Sequence, residues 1–399
     1  MSVQISKNLR IFKTSLHRCL QVAEDVRPEP IPPQTGSESG LNKPGIHKLF
    51  CGGLLFVILT VAIFWYQFAG IPGGQQPQIW QRLEWNYLFW LLLFLPIDTL
   101  SAGLRIWVIG RVLQPGVSFW TCLKSEWANL GLAMLTPSQT GGGFGQIYIL
   151  SRGGMNLGTA LTVSLISFLG SMVVLLFIGI HSLLISKDDH LAAFFQGALF
   201  IFFIIFAAVV FAVCWPGSVH RVISKICRSV QRIWGKNHSP DKIAWPQNTR
   251  RECLVAHLQI LSQKLIDLCY MHQVNMRRFF RLNNSGFIWV CLLSLIFMLS
   301  RSIMAFLCLR FLGIQAAALG DVLETQLSLI FLIYFAPTPG SSGLAEGASM
   351  LMMHGAMPAP IVPYYNLLWR CSTLYLPAIA GLVFLSWAIM QDARRVVSR

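Results

Sequence analysis

Thr136-Pro-Ser-Gln-Thr-Gly-Gly-Gly-Phe-Gly145 is a Pro/Gly-rich break between two apolar arms of the chain. A second break, Thr338-Pro-Gly-Ser-Ser-Gly-Leu-Ala-Glu-Gly347, lies in the other half of the sequence. Proline and glycine release backbone groups from the helical hydrogen-bond ladder. Inside a membrane such segments survive only where protein buries them or where they line a wet cavity. Two breaks in matching places therefore predict a pathway through the protein.

The composition predicts a polytopic helical membrane protein. Hydrophobic residues make up 54% of the chain and charged residues 12%. A net charge of +15 would suggest nucleic-acid binding in a soluble protein, but here the Lys and Arg residues fall between hydrophobic blocks. We therefore expect contact with anionic lipid and none with nucleic acid.

Cysteine and histidine give no sign of a metal site. The ten cysteines and nine histidines form no CxxC, no HExxH and no other paired ligand spacing. We expect no metal and no cofactor, and we interpret most of the cysteines as small buried apolar residues.

Six apolar runs are long enough to cross a bilayer. They cover residues 49–69, 86–110, 159–185, 191–215, 287–312 and 361–390. They divide the membrane part into a first half, 49–215, and a second half, 286–390. Basic polar regions flank these halves at 1–48, 216–285 and 391–399.

Two of the basic regions carry a helical apolar pattern. Within 1–27 the pattern fits either a helix lying on an anionic membrane surface or a solvated tail helix. Within 216–285 a stripe predicts an amphipathic helix along the cytoplasmic face, and a partner-binding role for this segment stays open. The stripe consists of Leu254, Leu258, Leu261, Leu265 and Leu268.

The positions of Lys and Arg set the expected topology, because basic loops stay in the cytoplasm. The N-terminal tail, Arg111, Arg152, the 216–285 segment and the C-terminal tail are then all cytoplasmic. Residues 119–150 must enter the membrane and return, folding at the first break. Residues 319–357 do the same from the outer face at the second break.

The predicted fold class is therefore an all-α polytopic integral membrane protein. It has about six full spans and two re-entrant broken-helix hairpins that form an inverted repeat. Inverted repeats with broken helices are the architecture of alternating-access transporters. The other interpretation is that the Gly/Pro segments only permit close helix packing.

The break residues also carry a family resemblance. Ala336-Pro-Thr-Pro-Gly-Ser-Ser-Gly-Leu-Ala-Glu-Gly347, Thr136-Pro-Ser-Gln-Thr-Gly-Gly-Gly143 and Gln146-Ile-Tyr-Ile-Leu150 resemble the lysylphosphatidylglycerol synthase transmembrane-region family. The likeness extends over residues 50–390 and implies translocation of a lipid or a lipid-linked molecule.

Two features qualify what the resemblance implies. Members that also synthesise aminoacylated lipid carry a soluble transferase domain after the membrane part, whereas this chain ends at Arg399, so the resemblance gives no support for synthesis. Many members have Gly-Glu followed by Arg in the first motif, where this chain has Gly143-Phe-Gly-Gln146. We therefore assign the role of that acidic and basic pair to no residue of this chain.

The candidate site follows from what an anionic headgroup needs, which is a polar track through hydrocarbon. Backbone amides at the breaks suit phosphate, and Lys124, Arg105, Arg301 and Arg370 can add positive charge. The other interpretation of each arginine is snorkelling or a structural ion pair, with Glu346 or Asp98 as the acid. Glu346 can instead carry a proton for coupling.

We predict substrate binding, and neither catalysis nor metal binding, for one set of residues. The set consists of Lys124, Glu126, Thr136, Pro137, Gln139, Thr140, Gly141, Gly142, Gly143, Gln146, Arg301, Thr338, Pro339, Gly340, Ser341, Gly343, Glu346 and Arg370.

The predicted function is transbilayer translocation of an anionic phospholipid or lipid-linked precursor in the bacterial cytoplasmic membrane, with both termini cytoplasmic. Membrane lipids are the expected partners, and the sequence leaves room for a homo-oligomer. No nucleophile elbow or phosphate loop occurs, which argues against an enzyme. The alternatives are a membrane-embedded lipid-modifying transferase, with Glu346 and an arginine as acid and base, or a non-catalytic regulator of envelope biogenesis.

Overall fold

A computed structural model describes residues 44–71, 79–186, 189–214, 225, 249–282, 285–334, 336–353 and 355–397. These residues form helices and turns and no extended strand. Lys48–Arg399 is one compact unit. Of the other unit, Met1–His47, only the start of a helix at Pro44 is described, so the predicted helix within 1–27 lies outside the described residues.

Six long or medium helices lie in the described part of the first half. They are α1 (Pro44–Ala69), α2 (Trp85–Leu113), α3 (Phe119–Leu135), α4 (Gly142–Arg152), α5 (Leu157–Ile185) and α6 (Asp189–Cys214). One helical turn, Ile79–Arg82, precedes α2, and a 3-10 turn, Pro137–Gln139, separates α3 from α4.

The described part of the second half also contains six helices. Its helices are α7 (Thr249–Leu282), α8 (Gly286–Phe311), α9 (Leu319–Ile333), α10 (Leu344–Met352), α11 (Val362–Arg370) and α12 (Leu376–Val397). 3-10 turns occur at Pro339–Ser341 and Ala359–Ile361, and a π-helical turn, Cys371–Tyr375, joins α11 to α12.

Six segments within the described ranges are long and apolar enough to cross a membrane, and they match the six predicted runs. They are α1, α2, α5, α6, α8 and the continuous stretch through α11 and α12. The helices beside the breaks are shorter, with 17, 11, 15 and 9 residues in α3, α4, α9 and α10. Since a span needs about 20 residues, each of these is an arm of a broken hairpin. The prediction of an all-α polytopic membrane protein is confirmed.

The two halves are joined along α2 and α8, the first span of each repeat, which pack against each other. Asp98 and Arg105 on α2 reach Arg301 and Ser294 on α8. Each of these helices leads into a broken hairpin and then into another span. The spans α1 and α6 stand at the periphery, where 11% of each apolar window is buried, compared with 67% for α5.

Glycines set the close packing around the first hairpin. A Cβ atom on Gly381 of α12 would overlap the Trp127 carbonyl oxygen of α3, and one on Gly131 would lie 2.9 Å from the Leu382 nitrogen. A Cβ atom on Gly145 of α4 would lie 2.6 Å from the Ala128 carbonyl oxygen. The backbones of α3, α4 and α12 therefore approach one another at distances that only glycine permits.

The helix α7 contacts α5 in part through polar residues, and the described residues do not test the predicted leucine stripe. His272 Nδ1 lies 3.0 Å from Thr162 Oγ1, and Asn275 donates to Thr159 Oγ1 over 3.2 Å. Leu265 is 43% exposed. The side chains of Leu254, Leu258 and Leu261 lie outside the described residues. Buried threonines at the start of α5 need polar partners, which explains why His272 and Asn275 form the contact.

Candidate functional site

The two breaks meet in space, and each contains a 3-10 turn with left-handed residues at equivalent positions. Gln139 donates from Nε2 to Ser341 Oγ over 3.1 Å, and these residues lie 202 positions apart in the chain. At this offset Ser138 and Gln139, with φ of 51° and 56°, correspond to Gly340 and Ser341, with φ of 56° and 59°. Left-handed backbone is uncommon for residues other than glycine and costs about 1 kcal/mol or more. The repeat therefore extends to the conformation of single residues.

The first break is held by its own side chains. Thr136 Oγ1 donates to the Leu132 carbonyl over 2.9 Å and accepts from the Gly141 amide over 2.8 Å. Thr140 donates to the Pro137 carbonyl over 3.0 Å. Gly142 packs against Asn129, where a Cβ atom would overlap the side-chain oxygen. Gly141 and Gly142 thus serve the turn and its close packing, and the predicted phosphate contact stays a prediction for Gly143.

The second break is held by one ion pair. Glu346 accepts the Gly343 amide at Oε2 over 2.7 Å, and its Oε1 lies 2.8 Å from Arg370 Nε. Arg370 also donates from Nη2 to the Gly340 carbonyl. The pair therefore contacts the break at both the Gly343 amide and the Gly340 carbonyl. Both side chains are almost fully buried, at 0% exposure for Glu346 and 4% for Arg370.

A second ion pair joins the two central spans. Arg301 Nε of α8 lies 3.2 Å from Asp98 Oδ1 of α2, and Ser300 donates to the same oxygen over 3.2 Å. The sequence pointed to Asp98 and Glu346 as partner acids for the deeper arginines. The structure assigns Asp98 to Arg301 and Glu346 to Arg370.

A third, looser pair is formed by Arg105 and Glu126, with 3.8 Å between Nη2 and Oε1. Arg105 donates to Ser171 over 2.6 Å and to Ser294 over 3.1 Å. Glu126 accepts from Gln146 over 3.2 Å and from Asn129 over 3.4 Å. Gln146, where the first motif departs from the family pattern, is thus a neutral partner of this carboxylate.

A cavity of about 140 Å³ lies where the two breaks and the three pairs converge. Its lining is Arg105, Glu126, Asn129, Leu130, Ala133, Met134, Gln139, Ser171, Phe297, Met298, Arg301, Ile330, Ile333, Tyr334, Gly340, Ser341, Trp369, Arg370, Thr373 and Leu374. Arginine therefore faces the cavity from α2, α8 and α11.

Some donors at this cavity have no partner among the described residues. They are Arg105 Nε and Arg301 Nη2, both buried. The Phe297 ring lies between the two guanidinium groups, with its centre 5.6 Å from Arg105 Cζ and 4.2 Å from Arg301 Cζ. Buried donors without acceptors are costly, so an acceptor entering the cavity would gain hydrogen bonds without breaking the ion pairs.

The structure brings only part of the predicted set to the cavity. Glu126, Gln139, Arg301, Gly340, Ser341 and Arg370 line it. Gln146 and Glu346 lie behind this lining, bonded to Glu126 and Arg370. Pro137 and Thr140 are exposed, Pro339 is buried within the second turn, and a buried Thr338 hydroxyl has no partner in the described part of the chain.

Lys124 does not line this cavity, and its predicted contact with substrate stays a prediction. Its Nζ lies 5.2 Å from the centre of the Phe384 ring on α12. Lys124 and Glu126 are two residues apart on α3, so a helical period of 3.6 residues turns them to different faces. Glu126 faces the cavity, and Lys124 faces the last span.

Several lining residues were missed by sequence reasoning. Asn129, Ser171, Phe297, Tyr334 and Thr373 belong to this group. Ser171 and Phe297 stand in long apolar spans, where a serine or a phenylalanine is unremarkable. Asn129 carried a signal, because it follows Glu126 by three residues and so shares its helical face.

Comparison with known proteins gives one match. The family model described as Lysylphosphatidylglycerol synthase TM region matches residues 52–381. The match includes both breaks and every residue of the cavity lining. No curated protein and no solved structure matches this chain.

Proposed function

This chain belongs to the lysylphosphatidylglycerol synthase TM region family, and from that premise we propose that it moves an anionic phospholipid or a lipid-linked precursor across the bilayer. The family consists of membrane domains linked to lipid handling. The chain is a multi-pass membrane protein with six candidate spans in its described part. The cavity is the feature that supports translocation, beyond lipid handling in general.

The observation that carries the proposal is the convergence of three arginines where two broken hairpins meet. Arg105, Arg301 and Arg370 come from different spans and line one cavity. A charged side chain at membrane depth costs several kcal/mol, and such residues generally mark a pathway for a charged substrate. Broken helices from opposed repeats meet at the substrate site in alternating-access transporters.

The ion pairs explain how three arginines can occupy this place before a ligand enters. Asp98, Glu126 and Glu346 each balance one guanidinium group. A phosphate can then bind the donors that remain, on Arg105 Nε and Arg301 Nη2. Guanidinium groups suit this task because their planar donors match two phosphate oxygens at once.

The size of the cavity favours a headgroup as its occupant. At about 140 Å³ it is smaller than the roughly 300 Å³ at which sites for drug-sized ligands begin. A phosphate with a small substituent fits, whereas acyl chains must stay outside in the bilayer. Such a division lets the polar head cross through protein while the tails remain in hydrocarbon.

The setting of this activity is also part of the proposal. We place the protein in the bacterial cytoplasmic membrane with both termini in the cytoplasm, because the basic segments flank the predicted inner ends of the spans. Its partners are membrane lipids, and nucleic acid is not among them. We propose a carrier and not an enzyme, and assembly into a homo-oligomer is compatible with the broad apolar periphery.

The proposed function is tested by translocation of fluorescent phospholipids in proteoliposomes, measured with a membrane-impermeant quencher. We expect faster exchange for anionic than for zwitterionic headgroups. Arg301→Lys keeps a positive charge beside Asp98 but loses the planar donors, so the rate falls by about tenfold. Arg111→Lys, at an exposed arginine outside the lining, is the matched control and retains the wild-type rate.

Reconstituted protein that accelerates exchange of no headgroup would contradict the proposal. That result would favour a function as a lipid-modifying transferase or as a regulator.

A further inference from the structure

A lysine without an acidic partner among the described residues lies on the first hairpin. Lys124 follows the start of α3 at Phe119 by five residues, which is roughly 8 Å along the helix, and its side chain is partly exposed. Every ion pair in the described part of the chain is formed by an arginine, and none includes this ammonium group. A cation in a membrane segment is costly unless it reaches the interface or gains an anion.

Aromatic residues of two helices lie around Lys124. Its Nζ atom lies 5.2 Å from the centre of the Phe384 ring on α12, and the centre of that ring lies 5.7 Å from the centre of the Trp387 ring. On α3, Trp120 precedes Lys124 by four residues and so shares its helical face. Both tryptophans are exposed, at 63% for Trp120 and 47% for Trp387. Exposed tryptophans on membrane helices typically lie at the level of the lipid headgroups.

The direction of the Lys124 side chain fits that level. Side chains on a helix lean toward its N-terminus, and in the proposed orientation α3 begins at the cytoplasmic surface. The methylene stem of Lys124 then lies among apolar groups while the ammonium group reaches toward the headgroups of the cytoplasmic leaflet. Lys124 is therefore placed to meet the phosphate of a lipid in that leaflet.

The acid near the end of α12 is already engaged by other groups. Asp392 accepts from Arg152 Nε at Oδ1 over 3.0 Å and from the Tyr148 hydroxyl at Oδ2 over 2.6 Å. The guanidinium carbon of Arg152 lies 5.9 Å from the centre of the Trp387 ring. Asp392 balances Arg152, so the positive charge of Lys124 remains in excess. An anion from outside the protein would be its complement.

An apolar stripe on α12 leads away from this cation toward the middle of the membrane. The stripe consists of exposed residues that recur every three or four positions and so lie on one side of the helix. They are Leu376, Ile379, Val383, Trp387 and Met390. A lipid whose phosphate lies at Lys124 can therefore pack its acyl chains along α12.

We propose that Lys124, Trp120 and Trp387 form a docking site for one anionic phospholipid of the cytoplasmic leaflet. The Lys124 ammonium group binds the phosphate, and the acyl chains lie along α12. The docking site is separate from the cavity, which Glu126 faces from the other side of α3. Its role rests on the proposed function, because the docking site holds a lipid before the headgroup enters the cavity.

The chemistry of the two places fits this order of binding. Lysine binds phosphate as a single point charge, whereas the arginines that line the cavity offer planar pairs of donors. The partly exposed Lys124 also keeps contact with water, and the cavity donors on Arg105 and Arg301 are buried. A lipid is therefore held more weakly at the docking site than in the cavity and can move on.

The docking site is tested by native mass spectrometry of the detergent-solubilised full chain, titrated with phosphatidylglycerol or phosphatidylcholine. Lys124→Met retains an unbranched side chain and removes the charge. We expect one phosphatidylglycerol to bind about fivefold more weakly, which is the effect of about one basic residue near anionic lipid, and phosphatidylcholine binding to be unchanged. Lys264→Met, at an exposed lysine of α7, is the matched control and should bind phosphatidylglycerol as the wild type does.

Two further arms separate the docking site from the cavity. The same fivefold loss should occur when Lys124→Met is added to Arg301→Lys, because the two residues bind lipid at different places. In proteoliposomes, Lys124→Met should slow translocation several-fold at a low fraction of anionic lipid, and the difference should narrow as that fraction rises. A loss that stays equally large at every fraction would contradict the docking role.

Unchanged phosphatidylglycerol binding in Lys124→Met would overturn the docking site and leave Lys124 as a side chain that only reaches water. An equal loss of phosphatidylcholine binding would also overturn it, because the docking site would then not recognise net negative charge. Lipid binding is measured without translocation. Protein that binds phosphatidylglycerol through Lys124 but translocates no lipid would therefore contradict the proposed function and not the docking site.

Discussion

Ser138 and Gly340 occupy equivalent positions in the two breaks but differ in their steric surroundings. Both have left-handed backbone, with φ of 51° and 56°. A Cβ atom on Gly340 would lie 2.8 Å from the Phe56 ring. No such contact accompanies the left-handed backbone of Ser138, which is less favourable for serine than for glycine. Glycine at position 138 should therefore give a more stable protein.

We predict that Ser138→Gly raises the free energy of unfolding by about 0.5–1 kcal/mol and that Gly340→Ala lowers it by at least about 1 kcal/mol. Thermal unfolding in detergent measures both. Gly347→Ala is the control, because a Cβ atom there meets nothing within 4 Å, and it should not be destabilising. A loss of stability in Ser138→Gly as large as that in Gly340→Ala would contradict a left-handed cost at position 138.

Glu346 and Arg370 give the sharpest stability prediction at this scale. Each change alone, Glu346→Met or Arg370→Met, leaves one buried charge without its partner. We expect each to lower the unfolding free energy by about 3–5 kcal/mol, whereas the double change recovers most of the loss. A double-mutant cycle from thermal melts checks this, and additive losses in the double variant would contradict a coupled pair.

The ion pairs were predictable from the sequence only in part. Arginine and acid inside apolar spans are visible in the sequence, so Asp98 and Glu346 could be named as partners before the pairing was known. Arg105 and Glu126 pair across two helices at 3.8 Å, and no local spacing encodes that contact. Lys124 lies beside α12 and outside the cavity lining, and its contact with a distant helix is likewise not encoded in local spacing.

At the scale of elements, the packing of α3 against α12 depends on glycine. A Cβ atom on Gly381 would overlap the Trp127 carbonyl oxygen. We predict that Gly381→Val forces the helices apart and reduces the monodisperse fraction recovered after purification by several-fold. Gly197→Ala in α6, where a Cβ atom meets nothing within 4 Å, should leave that fraction unchanged. Normal recovery of Gly381→Val would mean that α3 and α12 are not in tight contact.

The helices and breaks were largely predictable, because their signals are local. Apolar length predicts the spans, and Pro137 and Pro339 mark the turns. The start of α4 was less predictable, since it begins at Gly142, inside the run of glycines read as a break. Close packing against Asn129 favours a helix of small residues there, and this depends on a neighbouring helix that local sequence does not identify.

At the scale of the whole molecule, we expect the two repeats to have opposed orientations in the membrane. Gly116 and Ala316 are exposed positions that follow α2 and α8, the corresponding spans of each half. We predict that an impermeant thiol reagent labels Gly116→Cys only from the cytoplasmic side and Ala316→Cys only from the outer side. Wild-type protein gives the background from its native cysteines. Labelling of both positions from one side would exclude the inverted topology.

The broken hairpins were predictable from the Gly/Pro breaks, whereas the convergence of the site was not. The positive-inside rule and the two breaks imply opposed hairpins. Their meeting point, with Gln139 bonded to Ser341 and three pairs around one cavity, results from the packing of α2 against α8. That packing joins residues far apart in the chain, so only the folded structure gives it.

Passage of the headgroup through the cavity can be tested by blocking the cavity in a protein that is already transporting. Asn129 lines the cavity and is only partly buried, so Asn129→Cys can be treated with a small thiol reagent in proteoliposomes. Thr140→Cys, at an exposed position outside the lining, is the matched control. We predict that complete modification stops lipid translocation in the Asn129 variant and leaves it unchanged in the Thr140 variant. Full translocation after complete modification at position 129 would contradict passage of the headgroup through the cavity.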